Sequence, residues 1–245
     1  MAQVYTIARK LGQLPAFLVC FLLFSAQQGW GQAVPYPLAS GTYTENFDNI
    51  GTGSGASTVG WASNFASGSG ANHFSVATPN SPSLLPNYTN VFVSGSTGGI
   101  QKGDKAIVLL AVGSTSDGNN AAAFDLNLDF TNATAGNISL DWAEGLNSTG
   151  NRQSTFKLQT NTGTDGAFVD LPGSSVVIIN NVAANGSLTN VALPADFANK
   201  ANAKIRFFLV TSVGGTTGSR PKISIDNITV ATGTPTPPTP PTPAA

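Results

Sequence analysis

Lys222-Ile223-Ser224-Ile225-Asp226-Asn227-Ile228-Thr229-Val230 is the stretch on which the fold reading turns. Ile223 and Ile225, and after one displaced step Ile228 and Val230, alternate with polar residues. A period of two puts these apolar side chains on one face of an extended chain, the pattern of a half-buried β-strand. The same device recurs upstream. Phe124-Asp125-Leu126-Asn127-Leu128-Asp129-Phe130 alternates strictly, and Ile138-Ser139-Leu140-Asp141-Trp142 repeats it. A helix would scatter these residues around its surface, whereas a strand sorts them onto two faces.

Shorter runs fill in the remainder. Tyr43 to Asp48 reads as the first strand, His73 to Val76 and Asn90 to Val93 as short ones, and Ala106 to Val112 as a buried one. Ser154–Gln159, Val176–Ile179, Leu188–Leu193 and the central-type run Lys204–Thr211 follow, with one helical turn expected at Asp196–Lys200. Asn161-Thr162-Gly163 is turn chemistry. Pro79, Pro82 and Pro86 bar a central strand over 78–90. Many short strands separated by Gly, Asn and Pro, with no βα alternation, predict an all-β fold: an antiparallel two-sheet β-sandwich.

Composition agrees. The 245 residues are 41% hydrophobic and only 9% charged, so there is enough apolar side chain for a core. The polar remainder is Asn, Thr, Ser and Gly, which suits strands and turns. Residues 1–33 have the form of a secretory signal peptide, with Arg9 and Lys10 ahead of the apolar run Ala16–Ala26 and small residues at Gly31-Gln32-Ala33. That apolar run is well short of the roughly 20 residues a spanning helix needs, so no membrane association is expected after cleavage. Removing Arg9 and Lys10 from the 11 basic residues leaves 9 against 12 acidic ones, net −3. With no basic patch, nucleic acid is disfavoured as a partner. The one cysteine, Cys20, lies in the leader, so the mature chain holds no disulfide and no thiolate site. Residues 34–231 are the sandwich domain. Residues 232–245 end in a Pro-Thr tract that reads as an extended linker or tail to a covalently attached partner domain.

Catalysis finds little support. His73 is the only histidine, no Gly-x-Ser-x-Gly elbow occurs, and the only glutamates are Glu45 and Glu144. A triad, a His-rich zinc site and a paired-carboxylate glycosidase are all poorly supplied, so no catalytic residue is assigned. Gly51 and Gly53 lie in a loop with no helix after it, which excludes a phosphate-binding turn. Aromatic residues outside clean alternation are the candidates for stacking on a sugar ring: Trp61, Phe65, Phe74 and Tyr88. Trp142 is in phase with Ile138 and Leu140 and reads as core. The polar rows Asp125/Asn127/Asp129 and Asn137/Ser139/Asp141 either line a groove or form a solvated sheet face. Asn-x-Ser/Thr sequons stand at Asn87, Asn132, Asn137, Asn147, Asn185 and Asn227. In a sandwich the first and last strands lie side by side, so Glu45, Asp48 and Asp226 are candidates to converge on a structural calcium ion.

Three segments, Tyr43-Thr44-Glu45-Asn46-Phe47-Asp48-Asn49-Ile50-Gly51, the block from Ala123 to Asn161 with Trp142-Ala143-Glu144-Gly145, and Ile223 to Val230, resemble the jelly-roll modules of bacterial extracellular and cell-surface multidomain proteins. The first-strand acid and last-strand Asp are similar to the calcium site of jelly-roll carbohydrate-binding modules and MAM-type domains. The resemblance points to Glu45 and Asp226, although Asp226-Asn227 stands where those families often carry two acids. It implies a jelly-roll sandwich and a secreted, non-catalytic module for glycan or adhesive contact. The alternatives are the accessory module of an extracellular hydrolase such as a nuclease, or a structural spacer.

Overall fold

The computed structural model describes residues 34–48, 73–76, 99–102, 105–111, 121–163 and 167–233, all within the unit Ala33–Ala245. Their strands, in chain order, are β1 (Tyr36–Pro37), β2 (Tyr43–Glu45), β3 (Phe74–Val76), β4 (Gly99–Lys102), β5 (Ile107–Leu110), β6 (Ala122–Asp129), β7 (Ala135–Gly145), β8 (Gln153–Asn161), β9 (Val169–Asp170), β10 (Val176–Ile179), β11 (Asn185–Ala192), β12 (Ala203–Thr211) and β13 (Lys222–Thr232). Among the described residues there is no α-helix, and none is long and apolar enough to cross a membrane. The expected helical turn is a single 3-10 turn at Ala195–Phe197 that buries Phe197. Residues 1–33, expected to be a signal peptide, the Asn90–Val93 run and the tract from residue 234 onward lie outside the described residues.

Two sheets result. A seven-stranded sheet runs β1-β6-β12-β8-β10, with β3 also on β6 and β9 also on β8. A six-stranded sheet runs β11-β7-β13-β5-β4, with β2 also on β13. Every pairing is antiparallel except β1 with β6. The quoted stretch, β13, is central: β7 flanks it on one side, β5 and then β2 on the other. The first and last segments therefore meet, with Glu45 opposite Ile228 and Tyr43 opposite Val230. The displaced step in its alternation is a register shift between Asp226 and Thr229. Asn227 takes a φ of 49° there, a left-handed conformation that Asn tolerates better than most residues.

One continuous core fills the space between the sheets. Phe124, Leu126, Leu128, Phe156, Leu158, Ile205, Phe207 and Leu209 from the seven-stranded sheet meet Ile107, Leu109, Ile138, Leu140, Ile223, Ile225, Ile228 and Val230 from the other. Each such side chain contributes about 1.5–3 kcal/mol on burial. Phe124 and Phe207 stack across β6 and β12 with ring centroids 4.4 Å apart. Trp142 is partly buried and packs on this core, as its phase predicts. A Cβ on Gly186 of β11 would come within 3.1 Å of the indole.

At one end of the sandwich, three loops are tied together by asparagines. Asn180 is buried; its Nδ2 donates to the carbonyls of Asn147 (2.9 Å) and Ser219 (3.1 Å), and its Oδ1 accepts from the Asn147 N–H (3.1 Å). Asn147 Nδ2 donates to the Arg220 carbonyl at 2.8 Å, and Asn151 Oδ1 accepts from Thr216 and Thr217. Loop backbone that would otherwise hold unmet donors and acceptors is satisfied by side-chain amides. Asn147, one of the sequons, is buried in this network, whereas Asn132, Asn185 and Asn227 are exposed.

Candidate functional site

The side of the seven-stranded sheet turned away from the core carries a network of polar side chains, most of them buried. Strand alternation turns Ala123, Asp125, Asn127 (β6), Lys204, Arg206, Phe208, Val210 (β12) and Lys157, Gln159, Asn161 (β8) away from the core. Register places them in three rows across the strands: Asn127–Lys204–Asn161, Asp125–Arg206–Gln159 and Ala123–Phe208–Lys157. Ala121, Ala123, Phe208 and Val210 form a second, smaller apolar cluster on this side.

The middle row is anchored by a buried ion pair. Arg206 Nε donates to Asp125 Oδ1 at 2.8 Å and Nη2 to Oδ2 at 3.0 Å, a two-pronged geometry. Arg206 is 0% and Asp125 1% exposed. Burial pushes the Asp125 carboxyl up, and the hydrogen bonds and charge of Arg206 work against that rise. The Phe168 ring, in the segment leading into β9, lies 3.6 Å over the guanidinium carbon. Beside it Asp170 accepts from Gln159 Nε2 at 2.8 Å and pairs with Lys157 Nζ at 2.7 Å. Burial raises the Asp170 carboxyl, but the Lys157 and Gln159 hydrogen bonds outweigh it and leave the group below its usual range. Lys157 Nζ also stands 5.5 Å from the centre of the Phe208 ring. At the β6 edge, Asn127 Nδ2 donates to the His73 carbonyl at 2.9 Å, and the His73 ring meets Tyr36 edge-on at 5.0 Å.

The two polar rows differ in exposure. Asp125 and Asn127 are buried and bonded, not a solvated face. Of that row only Asp129 is partly open, and it caps the turn at Thr131. In the six-stranded sheet, Asp141 is braced from both neighbouring strands: Ser187 Oγ donates to Oδ1 at 2.6 Å and Asn227 Nδ2 to Oδ2 at 2.9 Å. These two bonds hold its carboxyl below the usual range. Ser139 Oγ accepts from the Asn190 N–H. The second row is half-exposed, and its hydrogen bonds lie at the irregular places in β11 and β13.

The anticipated ligand residues divide. Trp61, Phe65 and Tyr88 lie outside the described residues. Phe74 is in β3, whose backbone pairs with Leu126 at the edge of the polar face. Arg206, Gln159, Phe168 and Asp170 were missed. The signal for Arg206 was available: an arginine in the middle of Ile205-Arg206-Phe207-Phe208-Leu209 must point out of a core strand toward an acid, and Asp125 is the acid at the same phase in β6.

Glu45, Asp48 and Asp226 come to one region of the six-stranded sheet. Burial pushes Glu45 up, with the charges of Asp226 and Asp48 adding to it. Burial likewise raises Asp226, helped by Asp141 and Asp48. Asp48 is partly neutralised by Lys105, 3.2 Å away. Glu45 Oε1 accepts from the Phe47 N–H and Asp226 Oδ1 from that of Asn227. Among the described residues no three His, Cys, Asp or Glu gather closely enough to hold a metal. The negative charge of Asp226 and Asp48 that Glu45 feels is what a calcium ion there would offset.

No protein-family model matches the chain, and no curated protein does. Among solved structures it is similar to a non-crystalline-cellulose-specific carbohydrate-binding module, CBM28, at 11% identity and TM-score 0.37 over 64% of this chain and 86% of that one. It is also similar to the C-terminal family 22 carbohydrate-binding module of Clostridium thermocellum Xyn10B, at 12% identity and TM-score 0.36 over 79% and 94%. A third is the K1 cleaved adhesin domain of Lys-gingipain from Porphyromonas gingivalis W83, at 13% identity and TM-score 0.35 over 79% and 99%.

Proposed function

We propose that the chain is a secreted, non-catalytic recognition module that binds a polysaccharide or surface glycan. The supporting observation is the side of the seven-stranded sheet turned away from the core, where Phe168, Lys157 and Asp170 stand together over a buried row of Asp125, Arg206 and Gln159. An aromatic face stacks on the C–H side of a sugar ring, while amide, carboxylate and ammonium groups bond its hydroxyls. Arg206 and Asp125 are buried, so their role is to position Phe168 and the Gln159 row. Trp61 and Tyr88 are the other proposed ligand contacts. Calcium is proposed as a structural ion at Glu45 and Asp226, with Asp48 beside them.

A glycan and polysaccharide screen on the full chain, with and without calcium, tests this. Saturable binding weakened about tenfold by Phe168→Ala, roughly the worth of one aromatic stack, is the expected result. Binding that survives Phe168→Ala but is lost in Trp61→Ala or Tyr88→Ala would move the face. A folded protein that binds no glycan would overturn the function.

A further inference from the structure

Two buried hydrogen-bonding groups without partners lie at the end of the sandwich where the asparagine-tied loops meet. Arg152 ends the β7–β8 loop, and its Nε is buried with no hydrogen-bond partner. Two residues on, in β8, the Ser154 hydroxyl is also buried and unpartnered, on a side chain 0% exposed. The ladder between β8 and β10 continues one step past Gln153, where the Asn180 N–H donates to the Arg152 carbonyl at 3.0 Å. Side chains two apart along an extended chain share a face, so both groups stand on the side of β8 that carries Phe156 and Leu158. Buried polar groups are nearly always paired, with protein, water or a bound ion.

The fold brings a second cation to the same place. Arg220, from the β12–β13 loop, reaches the start of β8, where its Nη1 donates to the Gln153 carbonyl at 2.7 Å. Backbone bonds fix the two loops to each other: the Asn151 N–H donates to the Thr217 carbonyl at 3.1 Å, and the Ser219 N–H to that of Thr149 at 2.8 Å. Burial first, and the charge of Arg152 second, draw the Arg220 guanidinium below its usual range. Among the described residues Arg152 forms no ion pair. Glu144, the acid near the end of β7, is engaged by the Asn181 N–H and by Lys222. Arg152 and Gln153 are partly exposed, so the strand end is open to solvent.

We propose that this strand end is an oxyanion site, in which Arg152 and the Ser154 hydroxyl bind a carboxylate or sulfate group beside the positive charge of Arg220. The chemistry selects the ligand. A guanidinium and a hydroxyl both donate to oxygen, and guanidinium geometry matches the paired oxygens of an oxyanion. A negative charge there also offsets the repulsion between the two arginines, whereas a metal ion would add to it. The site is on the other side of β8 from Lys157 and Gln159, and it does not depend on the glycan reading.

Thermal unfolding of the full chain against millimolar sodium sulfate, with ionic strength held constant by chloride, tests it. The wild-type midpoint should rise saturably, and Arg152→Gln should weaken sulfate binding at least about tenfold. Without sulfate that variant should melt no lower than wild type, because it relieves the repulsion of Arg220; an arginine with a purely structural role would lower the midpoint with or without sulfate. Ser154→Ala should weaken sulfate binding severalfold, whereas a hydroxyl satisfied by a buried water would leave it unchanged. Lys200→Gln, an equal loss of charge just ahead of β12 at its far end, should bind sulfate as wild type does. Polygalacturonate and neutral dextran separate the sources of the anion. Binding of the acidic polymer alone, displaced by sulfate, assigns the site to a polysaccharide carboxylate; sulfate binding with neither polymer retained assigns it to a free oxyanion. The absence of a saturable sulfate effect, or equal sulfate affinity in wild type, Arg152→Gln and Ser154→Ala, would overturn the proposal.

Discussion

Replacing Arg206 with methionine should be among the most damaging single changes on the outward face of the seven-stranded sheet. The guanidinium makes two hydrogen bonds to Asp125, at 2.8 and 3.0 Å, with both side chains buried. Removing one partner of a buried pair leaves an uncompensated charge and costs about 3–5 kcal/mol. Loss of the Phe168 contact at 3.6 Å adds roughly 1 kcal/mol. Methionine fills much of the volume, so the cavity contribution is small. With a urea m-value of about 2 kcal/mol/M for a domain of this size, the midpoint should fall by roughly 2–3 M. The double variant Arg206→Met/Asp125→Leu removes the orphaned carboxylate and should recover most of the loss, giving a coupling energy above about 2 kcal/mol. A further sign is available. The orphaned Asp125 would have its pKa raised still further, and a raised carboxyl costs the fold stability as pH climbs from its unfolded pKa to its folded one. The deficit of Arg206→Met should therefore shrink as pH falls, while the double variant shows no such dependence. A single variant within about 1 kcal/mol of wild type, or additive effects in the double, would refute the account of a dry, obligate pair.

Asn180→Ala should destabilise the chain by about 2–4 kcal/mol, because it leaves the Asn147 N–H and the carbonyls of Asn147 and Ser219 without their buried partner; chemical denaturation measures it, and a loss below about 0.5 kcal/mol would mean the loops do not depend on this amide. With chelator present, stability should rise as pH falls from neutral toward the usual carboxyl range near 4.5, because Glu45 and Asp226 have raised pKa values and their ionisation penalty is relieved on protonation. Below about pH 4 it should fall again, as Asp141 and Asp170, both held below their usual range, lose their hydrogen-bonded charge. A thermal midpoint flat between pH 7 and about 5 would contradict the first half of this profile. Calcium should raise the midpoint at pH 7 and remove the gain on acidification; a midpoint indifferent to calcium would end the metal proposal.

Much of the architecture was legible because its cause is local. Alternation of period two in 124–130, 138–142 and 222–230 depends only on neighbours in the chain, and each became a strand with the expected face inward. The break in the last run was visible as a displaced step, and it is the irregularity at Asn227. The meeting of Tyr43–Glu45 with β13 followed from the habit of sandwiches to pair their first and last strands.

What a row of polar residues does was not legible. Asp125 and Asp141 sit in the same kind of alternation, yet one is buried against an arginine 81 positions away and the other is braced by Ser187 and Asn227. Alternation assigns a side chain to a face, but it carries no information about which strands lie on either side. Pairing of β12 with both β6 and β8 alone brings Asp125, Arg206 and Gln159 into one row, and Phe168 completes it because β9 joins the edge of β8. The asparagine clamp is of the same kind, since Asn147 and Asn180 are ordinary loop residues until three loops converge. The sequence by itself determined the longer strands and which of their side chains face inward, because steric alternation acts within a few bonds. The tertiary structure decided where charge is buried and which loops are locked, because those depend on contacts between segments tens of residues apart.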